Sequence, residues 1–477
     1  MKRILKIISI ICLIYFIYVI FTVIILPNYY PKEVSNCCDY EEVVNDFYGE
    51  DLTHPDKITL IDNGKALSVR INLIENAQEI IEISQFYINN DKVGNIFLAE
   101  LLEAADRGVK VRIIVDGKYN KISGFTKENI YALIVHPNIE LKLYEPFKLF
   151  KPWTINNFLH DKILIIDSKY GLISGRNIGN RYFLDDTNKY TYDLDTIITY
   201  TGNTEDDYKN SSINQLKDYF TYMWNHRYTI KPKKINIREK NKGKASYQKL
   251  INNLDKYREK ESELFNIEFN WEEISVPTKN ITLVYNPLNR LNKKPKVWCT
   301  IAHLINNANS KVFINSPYIV PTKEIANKLD SAKISDLEIN VLTNSAGSTP
   351  NIFAFSGYLR YKEKMLSNNN INIYEYQGEG SLHSKTYIID DRISIVGSYN
   401  LDPRSTFLST ESMLVVDSNE FTELLNTYYE KQINYSLLTN GLYSYENNDI
   451  DPAPVPLVKK ATLTIMRYVV RLIDHLV

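Results

Sequence analysis

Two stretches of the chain carry the same chemistry-bearing pattern: "FLHDKILIID" at 158–167 and "SLHSKTYIID" at 381–390. Each has Leu-His-x-Lys, then branched or aromatic residues, then Ile-Ile-Asp. The two histidines, His160 and His383, are 223 positions apart. Alternate side chains on a strand share a face, so His160 points with Lys162 and His383 with Lys385. An imidazolium beside an ammonium is repelled, and the pairing makes sense with an anion between them. Two such pairs related by a pseudo-twofold make one pocket suited to a phosphodiester. The lysines hold the non-bridging oxygens and stabilise the charge that develops as phosphorus becomes five-coordinate. One imidazole attacks phosphorus and forms a phosphohistidine. The other protonates the leaving alkoxide, then deprotonates the incoming nucleophile. The two histidines must then hold opposite protonation states near neutral pH and titrate as a pair. This chemistry calls for no metal, and no cofactor is expected.

Neighbouring residues fit the same roles. Asn177 and Asn400 each follow their histidine by 17 residues and are candidate amide donors to phosphate. Ser398 adds a hydroxyl, and Gly175 and Gly397 let backbone approach a ligand. Asp193 in "YDLD" and Glu411 in "STES" occupy matching places. A carboxylate there accepts the second imidazole N–H, fixes the tautomer and stabilises the cation. Asp167 and Asp390 fall at an odd offset from the histidines and are expected to hold a turn.

The elements that must position these residues recur in the same order. Around the first motif run "EIIEISQFYI" as a strand, "NIFLAELLEAADRG" as a helix, then "VKVRIIVDG", "IELKLYEP", "YGLISGRN" and "YDLDTIITY" as strands. Around the second run "KVFINSPYIV", a helix near "KEIANKLDSA", "LEINVLTNS", "INIYEYQG", "ISIVGSYN" and "TESMLVVDS". This is an α/β grammar used twice. It predicts two similar domains, each a mixed sheet flanked by helices, at 31–230 and 281–450. The stretch 231–280 between them opens with "KPKKINIREKNKGK" and reads as a basic, solvated linker and connecting segment, with an anionic-lipid patch as the other reading.

Residues 1–30 form an anchor. Ile7 to Leu26 is an uncharged, apolar run of 20 residues preceded by Lys2, Arg3 and Lys6, enough to span about 30 Å of hydrocarbon. A cleaved signal peptide would have a shorter apolar stretch and small residues before the cut. The basic flank places the N-terminus in the cytoplasm and the catalytic body outside it. Residues 451–477 read as an amphipathic helix with Met466, Val469, Val470, Ile473, Leu476 and Val477 on one face. That face docks on the protein's own core or lies in a membrane interface. The four cysteines show neither metal spacing nor a disulfide framework, and Cys37 and Cys38 read as unpaired. A net charge of −1 over 477 residues argues against a nucleic-acid binder. The sequence does not fix an oligomeric state.

His-x-Lys with Asp five residues after the lysine, followed by Gly-Ser-x-Asn, resembles the signature of the phospholipase D superfamily. "SLHSKTYIIDDRISIVGSYNLDPRST", "SGRNIGNRYF", "NSPYIVP" and "SGYLRYKEKML" are similar to bacterial cardiolipin synthases of the C type. The first copy departs from the pattern with "SGRN" in place of Gly-Ser-x-Asn, and "AFSGY" carries Phe355 and Ser356 where that group shows His-Ala. The resemblance implies two α/β domains with one active site between them, and phosphatidyl transfer between phospholipids in a membrane. It implies His160 as nucleophile and His383 as acid/base. A phospholipase D using water as acceptor is the alternative. A nuclease of the superfamily fits the charge and the anchor less well, and two complete His/Lys sets argue against a catalytically dead lipid-binding protein.

Overall fold

The computed structural model describes residues 1–29, 45–122, 127–185, 190–446 and 450–477. Its core is two mixed β-sheets of matching topology. The first runs, edge to edge, Val276–Pro277, Asp56–Ile61, Asp195–Tyr200, Tyr170–Ser174, Lys162–Ile166, Ile80–Gln85, Lys110–Asp116, Ile139–Tyr144 and Thr229–Ile230. The second runs Asn280–Tyr285, Ser412–Asp417, Ile393–Gly397, Thr386–Ile389, Lys311–Asn315, Glu338–Asn344, Ile371–Tyr376 and Ser436–Leu438. Asp195–Tyr200, Tyr170–Ser174 and Lys162–Ile166 of the first sheet are antiparallel neighbours, as are Ser412–Asp417, Ile393–Gly397 and Thr386–Ile389 of the second, and in each sheet the three strands that follow pair in parallel. The parallel strands are connected through helices, and most of their residues are buried.

The inner faces of the sheets meet. Ile163, Ile165, Ile173 and Ile198 of the first pack in one buried cluster with Ile388, Val396, Leu414 and Val416 of the second. Helices Ser212–Asn225 and Asn419–Ile433 contribute Phe220, Met223, Phe421 and Leu425 to that same cluster. The outer faces are covered separately. Helices Ala66–Glu75 and Lys92–Asp106 cover the first sheet, and Lys296–Asn306 and Ile352–Leu366 the second.

Two aspartates hold the turns opposite the histidines. The Asp167 carboxylate accepts from the backbone N–H groups of Gln78, Glu79 and Ile80. Asp390 accepts from those of Asn309, Ser310 and Lys311. Both aspartates have positive φ, 51° and 52°, which their own side-chain bonds offset.

Four expectations need correcting. The stretch read as a solvated linker contains the 24-residue helix Ile237–Lys260, started by a capping box between Asn236 and Glu239. Leu250 and Leu254, four apart among the lysines, are buried on the first half, and Arg258 pairs with Glu75, Glu100 and Glu103. The helix near 323–332 is two short pieces, Lys323–Ala326 and Ser331–Ile334, interrupted by a cap at Asp330. Cys299 is disulfide-bonded, a long-range pairing of the kind that cysteine spacing does not reveal; Cys37 and Cys38 lie outside the described residues. The helix Leu457–Val470 docks on the second half through Leu463 and Val470, with Met466 and Ile473 half-buried, whereas Val469 faces outward.

At the N-terminus, helix Lys2–Ile20 continues through a π turn at Phe21–Ile25 into Leu26–Tyr29. Over Lys2–Asn28 it is long and apolar enough to cross a membrane, with a mean hydropathy of 2.9 in its most apolar 18-residue stretch.

Candidate active site

The two motifs meet at one end of the paired sheets. Each histidine sits just ahead of its lysine, on an extended segment clasped by the other half. Leu382 pairs in parallel with Tyr192, and Leu159 bridges in parallel to Thr410. Each clasp sets a histidine beside the carboxylate that follows the partner segment. His383 Nδ1 is 2.6 Å from Asp193 Oδ2. His160 Nδ1 is 2.9 Å from Glu411 Oε1. The carboxylates therefore serve histidines of the opposite copy, with backbone ties beside each: His383 N donates to Tyr192 O and His160 N to Thr410 Oγ1.

The lysines lie on the same side. Lys162 Nζ donates to the His160 carbonyl and lies 5.4 Å over the Phe86 ring. Lys385 Nζ donates to the His383 carbonyl and stands 2.9 Å from His383 Nδ1. Aromatic edges complete the walls: Phe86 at 5.2 Å from the His160 ring, and Tyr182 at 5.4 Å from the His383 ring. A cavity of about 450 Å³ opens at His383, lined by Arg181, Tyr182, Tyr318, Asn351 and Phe353 among others.

Burial dominates the electrostatics. It holds His160 well below the usual imidazole range, and Lys162, Lys385 and Arg404 push the same way. His383 is lowered to about 3 by burial and then by Lys385, against the pull of Asp193. Burial lowers Lys162 to about 7 and Lys385 to about 8. Glu411 is raised to about 8 by burial, with Lys162 opposing. Asp193 goes the other way: Lys385 and His383 overcome its burial and keep it ionised. Each lysine is felt by the other half's histidine, so all four groups share one site.

Other candidates are placed differently from expectation. Ser398 does not offer its hydroxyl to a ligand: its Oγ donates to Glu411 Oε2 at 2.6 Å and accepts from Ser412 N. It orients the carboxylate. Asn177 and Asn400 line the site, but each amide donates one N–H to a hydroxyl, Tyr182 Oη and Ser405 Oγ, leaving one N–H for a ligand. The glycines make room for protein rather than ligand. A Cβ on Gly175 would meet Asp193 Oδ1 at 2.7 Å and Lys385 Cδ at 3.1 Å, and one on Gly397 would meet the Ser412 carbonyl at 2.3 Å.

Sequence reading passed over the buried support. Arg176, in the unusual "SGRN", is fully buried and donates to Asp195, Asn63 Oδ1 and the Asp193 carbonyl. Arg70 holds Asp195 from the other side. Arg404 lies 5.2 Å over Phe158 beside His160. The signal was the arginine in "SGRN" and in "DPRST", where a cation stands in an otherwise apolar or small-residue context. Among the described residues no group of three His, Cys, Asp or Glu is placed to hold a metal ion.

The arrangement defines an enzyme of the phospholipase D superfamily. The chain belongs to the family described as "Cardiolipin synthase, PLD-like domain", whose model matches residues 70–224 and 301–433. It is 27% identical to an uncharacterized protein of Helicobacter pylori strain J99, over 86% of this chain and 89% of that one. It is 24% identical to cardiolipin synthase C of Escherichia coli, over 78% and 84%. It is 27% identical to cardiolipin synthase 1 of Staphylococcus epidermidis, over 82% and 71%. The fold is that of a phosphatidylserine synthase from Haemophilus influenzae, with a TM-score of 0.62 at 16% identity over 92% of this chain and all of that one.

Proposed function

We propose that this enzyme transfers a phosphatidyl group from phosphatidylglycerol to a second phospholipid, giving cardiolipin. The crossed His–carboxylate pairs, each with its own lysine, carry this reading. Asp193 is ionised and accepts the Nδ1 proton of His383. Burial and Lys385 keep the imidazole neutral in the free site. The charge of a bound phosphodiester draws the second proton onto Nε2, so that His383 acts as the acid in the complex. Glu411, when ionised, accepts the Nδ1 proton of His160 and leaves the Nε2 lone pair free. His160 Nε2 attacks phosphorus, the N–P bond forms, and the P–O bond to glycerol breaks. His383 delivers its proton to the departing alkoxide. It then takes the proton of the acceptor hydroxyl, whose oxygen attacks phosphorus and expels His160. Lys162 and Lys385 hold the non-bridging oxygens throughout, and a bound phosphodiester raises their pKa values back toward the charged form. The membrane-length N-terminal helix suits two lipid substrates. Its basic flank, with the disulfide at Cys299, supports a catalytic body on the extracytoplasmic side of a bacterial inner membrane.

The test is product analysis by mass after incubating purified protein with phosphatidylglycerol vesicles, with and without phosphatidylethanolamine. Cardiolipin supports the proposal. Phosphatidic acid alone would make water the acceptor, and absence of turnover with either lipid sinks both readings.

A further inference from the structure

The membrane-length helix does not stand clear of the body. Tyr15 Oη donates to the Leu149 carbonyl at 2.9 Å, and Tyr18 Oη to the Phe150 carbonyl at 3.3 Å. Tyr18 also meets the Trp153 ring edge-on, 6.5 Å between centroids. Lower down, Asn156 donates to Val23 O, and His475 Nε2 contacts Ile24 O at 2.7 Å. Tyr18 lies eight residues before Leu26, the end of the apolar run, and thus about 12 Å along the helix from it. A helix that spans the bilayer over Ile7–Leu26 therefore carries loop 147–150 with it below the membrane surface. The loop is built for that. Phe147, Leu149 and Phe150 are exposed, Phe150 to 81%. The Tyr15 and Tyr18 hydroxyls satisfy carbonyls that lipid could not.

A second exposed apolar surface continues from the same place. The C-terminal helix shows two apolar stripes. Leu463 and Val470 are docked; Val458, Ile465 and Tyr468 face outward at helical spacing, and Leu472, in the turn just past the helix, is 76% exposed. At one end, this segment reaches the membrane helix through His475. At the other, Lys459 Nζ donates to the carbonyls of Gly347 and Thr349, just before the Pro350–Phe353 stretch that lines the cavity at His383. Phe353 is itself 54% exposed.

We propose that loop 147–150 and the outward stripe of the C-terminal helix are seated in the bilayer leaflet next to the catalytic body, with the cavity opening along that surface. Lipid then enters sideways from the leaflet, and its head group never crosses water. This deepens the proposed function and rests on it for the identity of the ligand, but the seating itself stands on the membrane helix and its contacts.

The test uses the full chain in vesicles of phosphatidylglycerol and phosphatidylcholine with bromine on the acyl chains. Phe150→Trp and Ile465→Trp place reporters on the two elements. Leu424→Trp is the control, an exposed position on the helix whose Asn426 contacts Asp391 at the far end of the second sheet. Expected: the emission added by Phe150→Trp and Ile465→Trp is quenched relative to unbrominated vesicles, and that added by Leu424→Trp is not. Equal quenching of all three, or none at Phe150, overturns the proposal. A second arm compares turnover. Phe150→Asp lowers turnover of long-chain lipid in vesicles roughly tenfold or more, and leaves that of dispersed short-chain phosphatidylglycerol unchanged. An equal loss on both forms also overturns it. If no variant and no parent turns over either lipid, the proposed reaction fails, and the quenching still decides the seating.

Discussion

Glu411, at the head of a strand in the second sheet, lies 2.9 Å from Nδ1 of His160, the histidine of the first copy. Ser398 fixes the other carboxylate oxygen from behind. The pair predicts that Glu411→Gln leaves the fold intact and lowers kcat about 10³-fold or more, because an amide can stabilise the wrong imidazole tautomer. Steady-state assays on phosphatidylglycerol vesicles, with circular dichroism for the fold, check it. Loss below tenfold would count against this role for Glu411.

The two histidines are expected to separate in a trapping experiment. His160→Ala forms no phosphoenzyme with any donor. His383→Ala, given a donor whose leaving group needs no proton, such as a p-nitrophenyl phosphatidyl ester, forms a phosphoenzyme that accumulates, since no base activates the acceptor. Acid-quenched mass spectrometry reads both. The reverse pattern would exchange the roles of His160 and His383.

Activity should be bell-shaped in pH. The productive form has Glu411 ionised, Lys162 and Lys385 protonated, and His383 protonated once the phosphodiester is bound. Glu411 is raised to about 8, so activity falls as pH drops through that value and the carboxyl takes up a proton. The lysines are lowered to about 7 and about 8, so activity falls again as pH rises through those values. The profile of kcat/KM is therefore narrow and centred between pH 7 and 8. The falling limb of kcat lies at higher pH, because the bound phosphodiester holds protons on the lysines. A flat profile from pH 6 to 9, about one unit beyond these values on either side, would contradict this assignment.

Gly397→Ala is expected to cost about 1–3 kcal/mol of stability, since the new methyl meets the Ser412 carbonyl at 2.3 Å and backbone must shift. Thermal unfolding measures it. Gly175→Ala meets a movable carboxylate and lysine instead, so its effect appears in kcat more than in melting temperature.

Asp390→Ala removes three backbone acceptor bonds far from the histidines. It should destabilise the protein by about 1–3 kcal/mol while the folded fraction keeps its kcat. A selective loss of kcat would place Asp390 in the chemistry.

Most strands and the clustered His, Lys and carboxylate side chains were legible because a twofold repeat exposes them: matched offsets single them out from their neighbours. Which carboxylate serves which histidine was not legible. That depends on the clasps at Leu382–Tyr192 and Leu159–Thr410, and these join residues about 190 and 250 positions apart. Ser398 was misread because a hydroxyl near a phosphate site looks like a ligand donor, whereas the nearest strong acceptor is Glu411. The helix at 237–260 was hidden by its lysines, which outnumber the two buried leucines that seat it. Arg176 was passed over because one buried cation carries no periodic signal.

The clasps have a consequence for turnover. One is a two-residue parallel pairing and the other a single bridge, and each brings in the carboxylate beside its histidine. Parting the halves like a jaw would strip both imidazoles of their carboxylates in one movement. Passage through the cavity past Tyr182 and Phe353, with the two halves shut, would leave both pairs intact.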